Sequence, residues 1–141
     1  MPGEFNYEHR HKYPHLIGED TETWNRFISR FPDKFDTVDY DVKVGKGSGA
    51  NSFTNETEKK YWIQLTQKRI DVIGYKNNFI TIIEVKKRVG LHTLGQILGY
   101  RFLYLRENPE IKSVKTLIVC PSINEDDSDV LKHYGIDFIV V

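Results

Sequence analysis

Two acidic residues, Asp71 and Glu84, lie within short apolar segments that flank the dipeptide Asn77-Asn78. The segments predict two strands, and the asparagines predict a tight turn, since asparagine tolerates positive φ. Pairing that is symmetric about this turn places Asp71 opposite Glu84. Opposed residues have Cβ atoms about 4.5 to 5.5 Å apart, where two carboxylates repel unless a cation lies between them. The arrangement therefore predicts a site for a hard divalent cation, Mg²⁺ or Mn²⁺.

Lys86 follows Glu84 by two positions, so the strand period of two puts both side chains on one face. An ammonium beside metal-binding carboxylates suits phosphodiester hydrolysis, because it orients the attacking water or balances charge on the phosphate oxygens. The alternative interpretation is a surface charge ladder on an edge strand. The apolar run from Ile80 to Val85 is typical of a central strand, which favours the catalytic interpretation.

The segment 91–107 predicts a helix that follows the second strand of the hairpin. Its apolar stripe consists of Leu91, Leu94, Leu98, Phe102 and Leu105. Gln96 and Tyr100 are four positions apart outside this stripe, and we expect them to face the site. Gly95 and Gly99 each cost a helix about 1 kcal/mol relative to alanine, which suggests close approach to the sheet or to a substrate backbone. A solvated polar face is the alternative for Gln96 and Tyr100.

Hydrophobic periodicity and turn residues predict the remaining elements. In chain order they are helix 20–31, strand 35–44, flexible loop 45–60, strand 61–75, strand 79–86, helix 91–107, strand 114–120, helix 125–133 and strand 136–141. This α-β-β-β-α-β-α-β order predicts an α/β fold with a mixed central sheet flanked by helices. Residues 1–18 show no periodicity and predict an irregular N-terminal arm ahead of a single domain, 19–141.

Composition limits the classes of protein that the chain can be. Its 20 basic and 20 acidic residues give no net charge, which argues against a purely electrostatic nucleic-acid binder. The single cysteine, Cys120, is expected as a buried strand thiol, and His9, His11 and His15 as part of a solvated arm rather than a zinc site. No apolar run approaches the roughly 20 residues that span a bilayer, and no signal segment is visible, so we expect a cytoplasmic protein without membrane contacts.

At the residues that could do chemistry, the sequence resembles the PD-(D/E)XK nuclease superfamily. The segments 69–73 and 82–86 are similar to the acidic position and the ExK signature of that superfamily. Gln96-Ile97-Leu98-Gly99-Tyr100 resembles the QxxxY motif of its RecB-like branch, and the segment 117–138 is similar to the NucS/EndoMS nuclease domain. The resemblance implies a restriction-endonuclease-like core, a mixed sheet flanked by helices.

The resemblance also implies roles for individual residues. Asp71, Glu84 and the Val85 carbonyl would bind the metal, and Lys86 would be catalytic. Gln96 and Tyr100 would count among the catalytic residues, orienting Lys86 and contacting DNA. The first helix of the superfamily often adds an acid, for which Asp20 is the candidate here, since Glu22 points away by helical phase.

DNA contacts are expected from local basic patches, which are formed by Lys46, Lys59, Lys60, Lys87 and Arg88. These side chains could equally form a solvated face. The function expected is that of a Mg²⁺- or Mn²⁺-dependent deoxyribonuclease directed to branched, flapped or single-stranded DNA. The alternative is a non-catalytic DNA-binding or assembly module on the same fold. A homodimer would suit cutting both strands of a duplex.

Overall fold

The computed structural model describes residues 2–48 and 55–141 of the chain, and a six-stranded sheet forms its centre. The strands, in spatial as well as chain order, are β1 (Phe5–Asn6), β2 (Thr37–Val44), β3 (Lys68–Lys76), β4 (Phe79–Val85), β5 (Lys115–Cys120) and β6 (Asp137–Val140). The strands β1 to β4 pair antiparallel, whereas β4–β5 and β5–β6 pair parallel. The sheet is therefore mixed, and the predicted α/β class is confirmed.

Helices cover both faces of the sheet. They are α1 (Glu19–Arg30), α2 (Glu56–Thr66), α3 (Leu91–Glu107) and α4 (Glu125–His133). One hydrophobic core lies between the sheet and α1, and a second lies between the opposite face and α3 and α4. Within the described part of the chain, no helix combines the length and the apolar character needed to cross a membrane.

The helix α1 buries the stripe that its sequence predicts. Trp24, Phe27 and Ile28 are all buried in the core beneath this helix. Burying each of these side chains contributes about 2 kcal/mol. The helix ends at Arg30, because Phe31 precedes Pro32 and is therefore disfavoured in the helical region.

The hairpin of β3 and β4 has the register predicted from symmetry about its turn. The two strands pair from Val72–Ile83 to Lys76–Phe79. Asn77 adopts a φ of 55°, the left-handed conformation that asparagine accepts at low cost. Ile73 and Ile82 pack beneath α3, so β4 is a central strand of the sheet, as its apolar composition predicts.

The strand predicted over residues 61–75 is wrong in its first part. Residues Glu56–Thr66 form α2, and β3 begins only at Lys68. The Asn55 side chain caps α2 by accepting the backbone N–H groups of Thr57 and Glu58 at 2.8 and 3.2 Å. This helix buries none of its side chains, so it lacks the apolar stripe by which helices are recognised in a sequence. The part of the predicted loop at 49–54 lies outside the described residues.

The helix α3 turns a different face to the core than the stripe predicted. Its buried residues are Thr93, Ile97, Tyr100 and Tyr104. Leu91 and Phe102, which belong to the predicted stripe, are instead 68% and 63% exposed. Apolar residues occupy more than one side of this helix, so periodicity alone does not decide its orientation.

The N-terminal arm, predicted to be irregular, contains the short strand β1 and contributes to the core. Tyr13 and Leu16 are buried in the core beneath α1. The Tyr13 hydroxyl donates a hydrogen bond to the Asn25 side chain of that helix. The position of residues 14–15 is therefore fixed from both sides. The domain boundary at residue 19 stays a prediction.

Candidate active site

Backbone pairing between β3 and β4 ends next to Asp71 and Glu84, and side chains take over the hydrogen bonding there. The last paired residues are Val72 and Ile83. Beyond them, Asp71 Oδ2 accepts the backbone N–H of Val85 at 3.0 Å, and Glu84 Oε1 accepts the backbone N–H of Asp71 at 3.2 Å. The two carboxylates therefore lie side by side where the hairpin strands separate.

The two carboxyl groups are buried and electrostatically coupled. Glu84 is 2% exposed and Asp71 is 9% exposed. Burial raises the pKa of Glu84 to about 9, and the neighbouring Asp71 carboxylate adds to the rise. Burial also raises the pKa of Asp71, and the Val85 N–H that donates to this carboxylate opposes the rise. In the absence of a cation, burial beside Asp71 therefore favours the protonated form of Glu84 at neutral pH.

Lys86 lies immediately after β4, and its backbone N–H donates to the Val119 carbonyl at 2.9 Å. Its Nζ is 3.8 Å from Glu84 Oε2, with the side chain 24% exposed. The ammonium counteracts the rise in the pKa of both Asp71 and Glu84. It therefore contacts the acidic pair on one side and solvent on the other, the side from which a substrate would approach.

Asp20 lies at the start of α1, on the same side of the molecule as Lys86. Partial burial raises the pKa of Asp20, and the Lys86 ammonium opposes this rise. No hydrogen bond or ion pair within the described residues joins the Asp20 side chain to the acidic pair. Asp20 is therefore close enough to Lys86 to interact with its charge, but it does not contact the acidic pair directly.

The helix α3 brings Tyr100 to the acidic pair, and Gln96 borders the same groove as Tyr100. Burial raises the pKa of Tyr100 to about 12, and the Glu84 and Asp71 carboxylates add to the rise. The hydroxyl is therefore a neutral hydrogen-bond donor. Gln96 Oε1 is buried and has no hydrogen-bond partner among the described residues. Such an acceptor costs about 1 to 3 kcal/mol, which favours a role in binding over one in the fold.

The two glycines of α3 line an open groove rather than a packed interface. Gly95 and Gly99 border a groove of about 390 Å³, which also includes Lys68, Gln96 and Tyr100. A Cβ atom at either glycine would meet no described atom within 4 Å. Close approach of the helix to the sheet therefore does not explain these glycines. The remaining interpretation is the approach of a substrate backbone.

Asp41 in β2 is a feature of the site that periodicity does not reveal. Its φ is 54°, a conformation that costs an aspartate about 1 to 3 kcal/mol. The pairing of β2 with β3 continues on both sides of Asp41, in a register that makes Asp71 its partner position. Tyr40 packs beneath α1, whereas Val42 packs beneath α3. The strand therefore turns over at Asp41, which breaks the expected alternation.

Asp41 lies against two side chains, Arg69 and His15, that the sequence analysis did not assign to the site. Arg69 Nε is 3.0 Å and His15 Nδ1 is 3.9 Å from Asp41 Oδ1. The Arg69 contact is an ion pair without hydrogen-bond geometry, since Asp41 Oδ1 has no hydrogen-bond partner among the described residues. His15 lowers the pKa of Asp71. Arg69 could have been found from its position two residues before Asp71, whereas only the fold brings His15 here.

The donor set decides whether a metal fits this site. Among the described residues, no three His, Cys, Asp or Glu side chains converge to form a ready metal cluster. Asp71 and Glu84 offer carboxylate oxygens, and the Val85 carbonyl points to the same side as its N–H, which is bonded to Asp71. Mg²⁺ is commonly held by one or two carboxylates together with waters and phosphate oxygens. The residues present therefore fit a divalent cation that completes its coordination with water and substrate.

The basic residues predicted to contact DNA fall into separate regions. Lys87 and Arg88 follow the site after β4 and are exposed, with Lys87 Nζ 2.9 Å from a glutamate of α1. Lys59 and Lys60 lie on α2 rather than in a loop, and Lys59 pairs with a glutamate one turn earlier at 3.7 Å. Lys46 is exposed in the segment after β2.

Comparison with solved structures finds the same fold in two larger proteins. The chain superposes on a repair endonuclease from Pyrococcus abyssi with a TM-score of 0.51 and 18% identity, over 92% of this chain and 49% of that one. It superposes on EndoMS, in an EndoMS–dsDNA complex, with a TM-score of 0.50 and 18% identity, over 94% of this chain and 48% of that one. Neither a protein-family model nor a curated relative matches the sequence.

At this identity the likeness shows the fold. The chain spans about half the length of the two structures that it matches. The substrates of those proteins are therefore not assigned to this chain, whose activity has to be argued from the chemistry of its own site.

Proposed function

We propose that this chain is a metal-dependent DNA nuclease domain of the PD-(D/E)XK type. The observation that carries the proposal is the buried Asp71–Glu84 pair with the Lys86 ammonium 3.8 Å from Glu84 Oε2. Two coupled carboxylates in a sheet core are unfavourable unless a cation neutralises them. A fold shared with repair endonucleases supports the same reading of the site.

In this proposal Asp71, Glu84 and the Val85 carbonyl hold Mg²⁺ or Mn²⁺, and Asp20 is the additional candidate from α1. A divalent cation, when bound there, polarises the phosphate and lowers the pKa of a coordinated water. A proton bound to Glu84 must leave before the two carboxylates can bind a cation. Lys86 stabilises the negative charge that develops on the phosphate oxygens, or orients the attacking water.

Gln96 and Tyr100 have the spacing of the QxxxY motif, which supports assignment to the RecB-like branch. The buried Gln96 Oε1 is an acceptor without a partner among the described residues, and a lysine ammonium offers three donors. We assign Gln96 to the positioning of Lys86. The neutral Tyr100 hydroxyl, beside the carboxylates, is assigned to a phosphate oxygen of the substrate.

A cleavage panel tests the proposal. Linear duplex, single-stranded, flapped and four-way DNA, with an RNA strand for comparison, are incubated with the 141-residue chain and Mg²⁺ or Mn²⁺. We expect cleavage of at least one branched, flapped or single-stranded substrate, and its loss in EDTA. A folded chain that binds these substrates but cuts none of them would establish the non-catalytic DNA-binding module instead.

Cutting both strands of a duplex calls for two active sites, so we include a homodimer in the proposal. Light scattering with and without duplex DNA measures the oligomeric state. Nicked rather than broken duplex from a monomer would restrict the activity to one strand.

A further inference from the structure

A second groove lies at the opposite end of β4 and β5 from the acidic pair. Its volume is about 220 Å³, and its lining includes Lys34, Lys76, Phe79, Thr81, Lys115 and Thr116. Phe79 begins β4 and Glu84 lies near its end. With a rise of about 3.3 Å per residue, the groove residues Thr81 and Phe79 are roughly 10 and 17 Å from Glu84 along β4. No role in the proposed cleavage chemistry uses these residues.

The groove presents hydrogen-bond donors that nothing within the described residues satisfies. Thr81 and Thr116 are 8% and 5% exposed, and neither hydroxyl has a hydrogen-bond partner in the described ranges. Of the three lysines in the lining, only Lys76 forms an ion pair there, with Asp36 at 3.0 Å. Hydroxyl groups that open onto a groove beside lysine ammonium groups are the chemistry that binds an oxyanion such as phosphate.

An exposed aromatic ring borders the same groove. Phe79 is 57% exposed at the tip of the hairpin, and Lys115 Nζ lies 4.3 Å from its ring centroid. A neighbouring groove shares Lys34 and adds Lys132, which extends the positive surface. Lysines that follow an exposed aromatic ring are the combination that binds unpaired nucleotides, the ring by stacking and the cations by contact with phosphates.

We propose that this groove binds an unpaired nucleotide of a nucleic acid, with the phosphate at Lys34, Lys115 and Thr81 and the base stacked on Phe79. The choice of nucleic acid as the ligand rests on the proposed nuclease function. The capacity of the groove to bind a phosphate and an aromatic ring is independent of that function. The groove would hold a strand roughly 10 to 17 Å from the cleavage site along β4, by the strand rise given above. A substrate with a single-stranded tail reaches both sites, and a short blunt duplex reaches only one.

The Asp137 carboxylate also borders the groove, and removing its charge should change the binding affinity in the opposite direction to removing a lysine. This carboxylate repels a phosphate, so it weakens binding of the anion. Asp137→Asn should therefore tighten the binding of thymidine monophosphate, opposite in direction to the loss of a lysine.

Backbone amide spectra of the isotopically labelled chain locate the binding. We titrate it with inorganic phosphate, thymidine, thymidine monophosphate, a ten-residue oligothymidylate and, as a competing class of ligand, an acidic peptide. We expect thymidine monophosphate and the oligonucleotide to shift the amides of Thr81, Lys115 and Thr116, with phosphate alone weaker and thymidine weakest. Shifts absent from these amides with both nucleotide probes would overturn the proposal. Shifts produced only by an acidic peptide would overturn it as well.

Matched variants then identify the contacts. Phe79→Ala should weaken oligothymidylate binding by about tenfold, as loss of one base–aromatic stack does. Phe102→Ala is its control, because Phe102 is also exposed and carries a cation, Arg106, over its ring. Lys115→Ala should weaken binding, with the exposed Lys112→Ala as its control. Binding losses equal to those of the controls would contradict the groove as the binding site.

Cleavage separates this inference from the proposed function. The Phe79 and Lys115 variants should cut a short blunt duplex at the wild-type rate and lose the preference for a tailed substrate. If they keep that preference while Lys86→Ala abolishes cleavage, the groove proposal fails and the nuclease proposal stands. If the wild-type chain cuts no substrate while the groove amides still shift, the nuclease proposal fails and nucleotide binding stands. Thermal unfolding of each variant verifies that its fold is intact.

Discussion

At the scale of single residues, Lys86 is where catalysis and metal binding can be separated. Its Nζ lies 3.8 Å from Glu84 Oε2, yet an ammonium has no lone pair and cannot be a ligand. Lys86→Ala should therefore leave Mn²⁺ affinity nearly unchanged while cleavage falls by about 100-fold or more. Single-turnover cleavage and calorimetry measure the two effects. Lys112→Ala serves as control, and a Lys86 variant that cuts at the wild-type rate would remove this residue from the mechanism.

Glu84 gives the stability of the metal-free chain a pH dependence of known sign. Its pKa rises from 4.5 to about 9 on folding, so its proton is bound more tightly in the folded state. The resulting stabilisation is complete below the unfolded pKa and is lost as pH rises toward 9. Asp71 shifts in the same direction.

Glu84→Gln should therefore flatten this dependence. The glutamine oxygen can still accept the Asp71 N–H, but the side chain cannot ionise. We expect a higher free energy of unfolding than wild type near pH 9, and little difference near pH 5, where wild-type Glu84 is protonated. Urea unfolding in EDTA at both pH values provides the measurement. Parallel loss of stability in wild type and variant would show that the pair holds no buried proton.

At the scale of elements, the sequence predicts those parts whose side chains alternate or recur regularly. The hairpin register follows from two apolar segments and the Asn77-Asn78 turn, and α4 ends at His133 as predicted. The helix α2 escapes prediction because it buries no side chain, and the orientation of α3 because apolar residues lie on several of its sides.

The residues of the candidate site could likewise be predicted from the sequence only in part. Symmetry about the turn brings Asp71 to Glu84, whereas Asp41 and His15 reach the site through a local break in β2 and through the packing of the arm. Neither leaves a periodic signal in the sequence. Side-chain roles at the metal stay predictions until they are measured.

The break at Asp41 makes a prediction about β2. Because its φ is 54°, glycine and asparagine fit this position and alanine does not. Asp41→Gly and Asp41→Asn should therefore be more stable than Asp41→Ala, by about 1 kcal/mol. All three variants lose the Arg69 ion pair, so differences in stability among them report the backbone conformation at this position. Thermal unfolding measures it, and equal stability of all three would rule out strain at this position.

The glycines of α3 make a prediction of opposite sign for stability and for binding. Gly95→Ala and Gly99→Ala should each stabilise the free chain by about 1 kcal/mol, since the added methyl group meets open space. DNA affinity should fall if a substrate backbone approaches this face. Gly74→Ala is the contrasting variant, because its Cβ would lie 2.5 Å from the Phe35 ring and destabilise the sheet. Stabilised variants with unchanged DNA affinity would assign the groove to solvent.

At the scale of the whole molecule, charge is distributed in patches on a chain with no net charge. Lys59 and Lys60 on α2 form one patch, and we expect it to contact phosphates. Lys59→Ala/Lys60→Ala should make the dependence of log affinity on log salt shallower by about 1 to 2, because up to two fewer counterions are released. Fluorescence anisotropy over a series of salt concentrations measures this slope. Lys12→Ala/Lys112→Ala is the control pair, and an identical slope would place the DNA elsewhere.

The hydrogen bonds that Asp71 and Glu84 make to backbone N–H groups bear on how this chain would drift if cleavage were no longer selected. Replacing Asp71 by alanine would leave the buried Val85 N–H without its acceptor, at a cost of about 1 to 3 kcal/mol. The Lys86 side chain makes no hydrogen bond to a backbone group within the described residues, so its loss leaves no buried donor or acceptor there without a partner. An inactive descendant would therefore discard the lysine early and keep the acids for their structural use. On this fold, a chain that keeps the two paired acids but lacks the lysine would therefore be the expected form of a nuclease that has lost its activity.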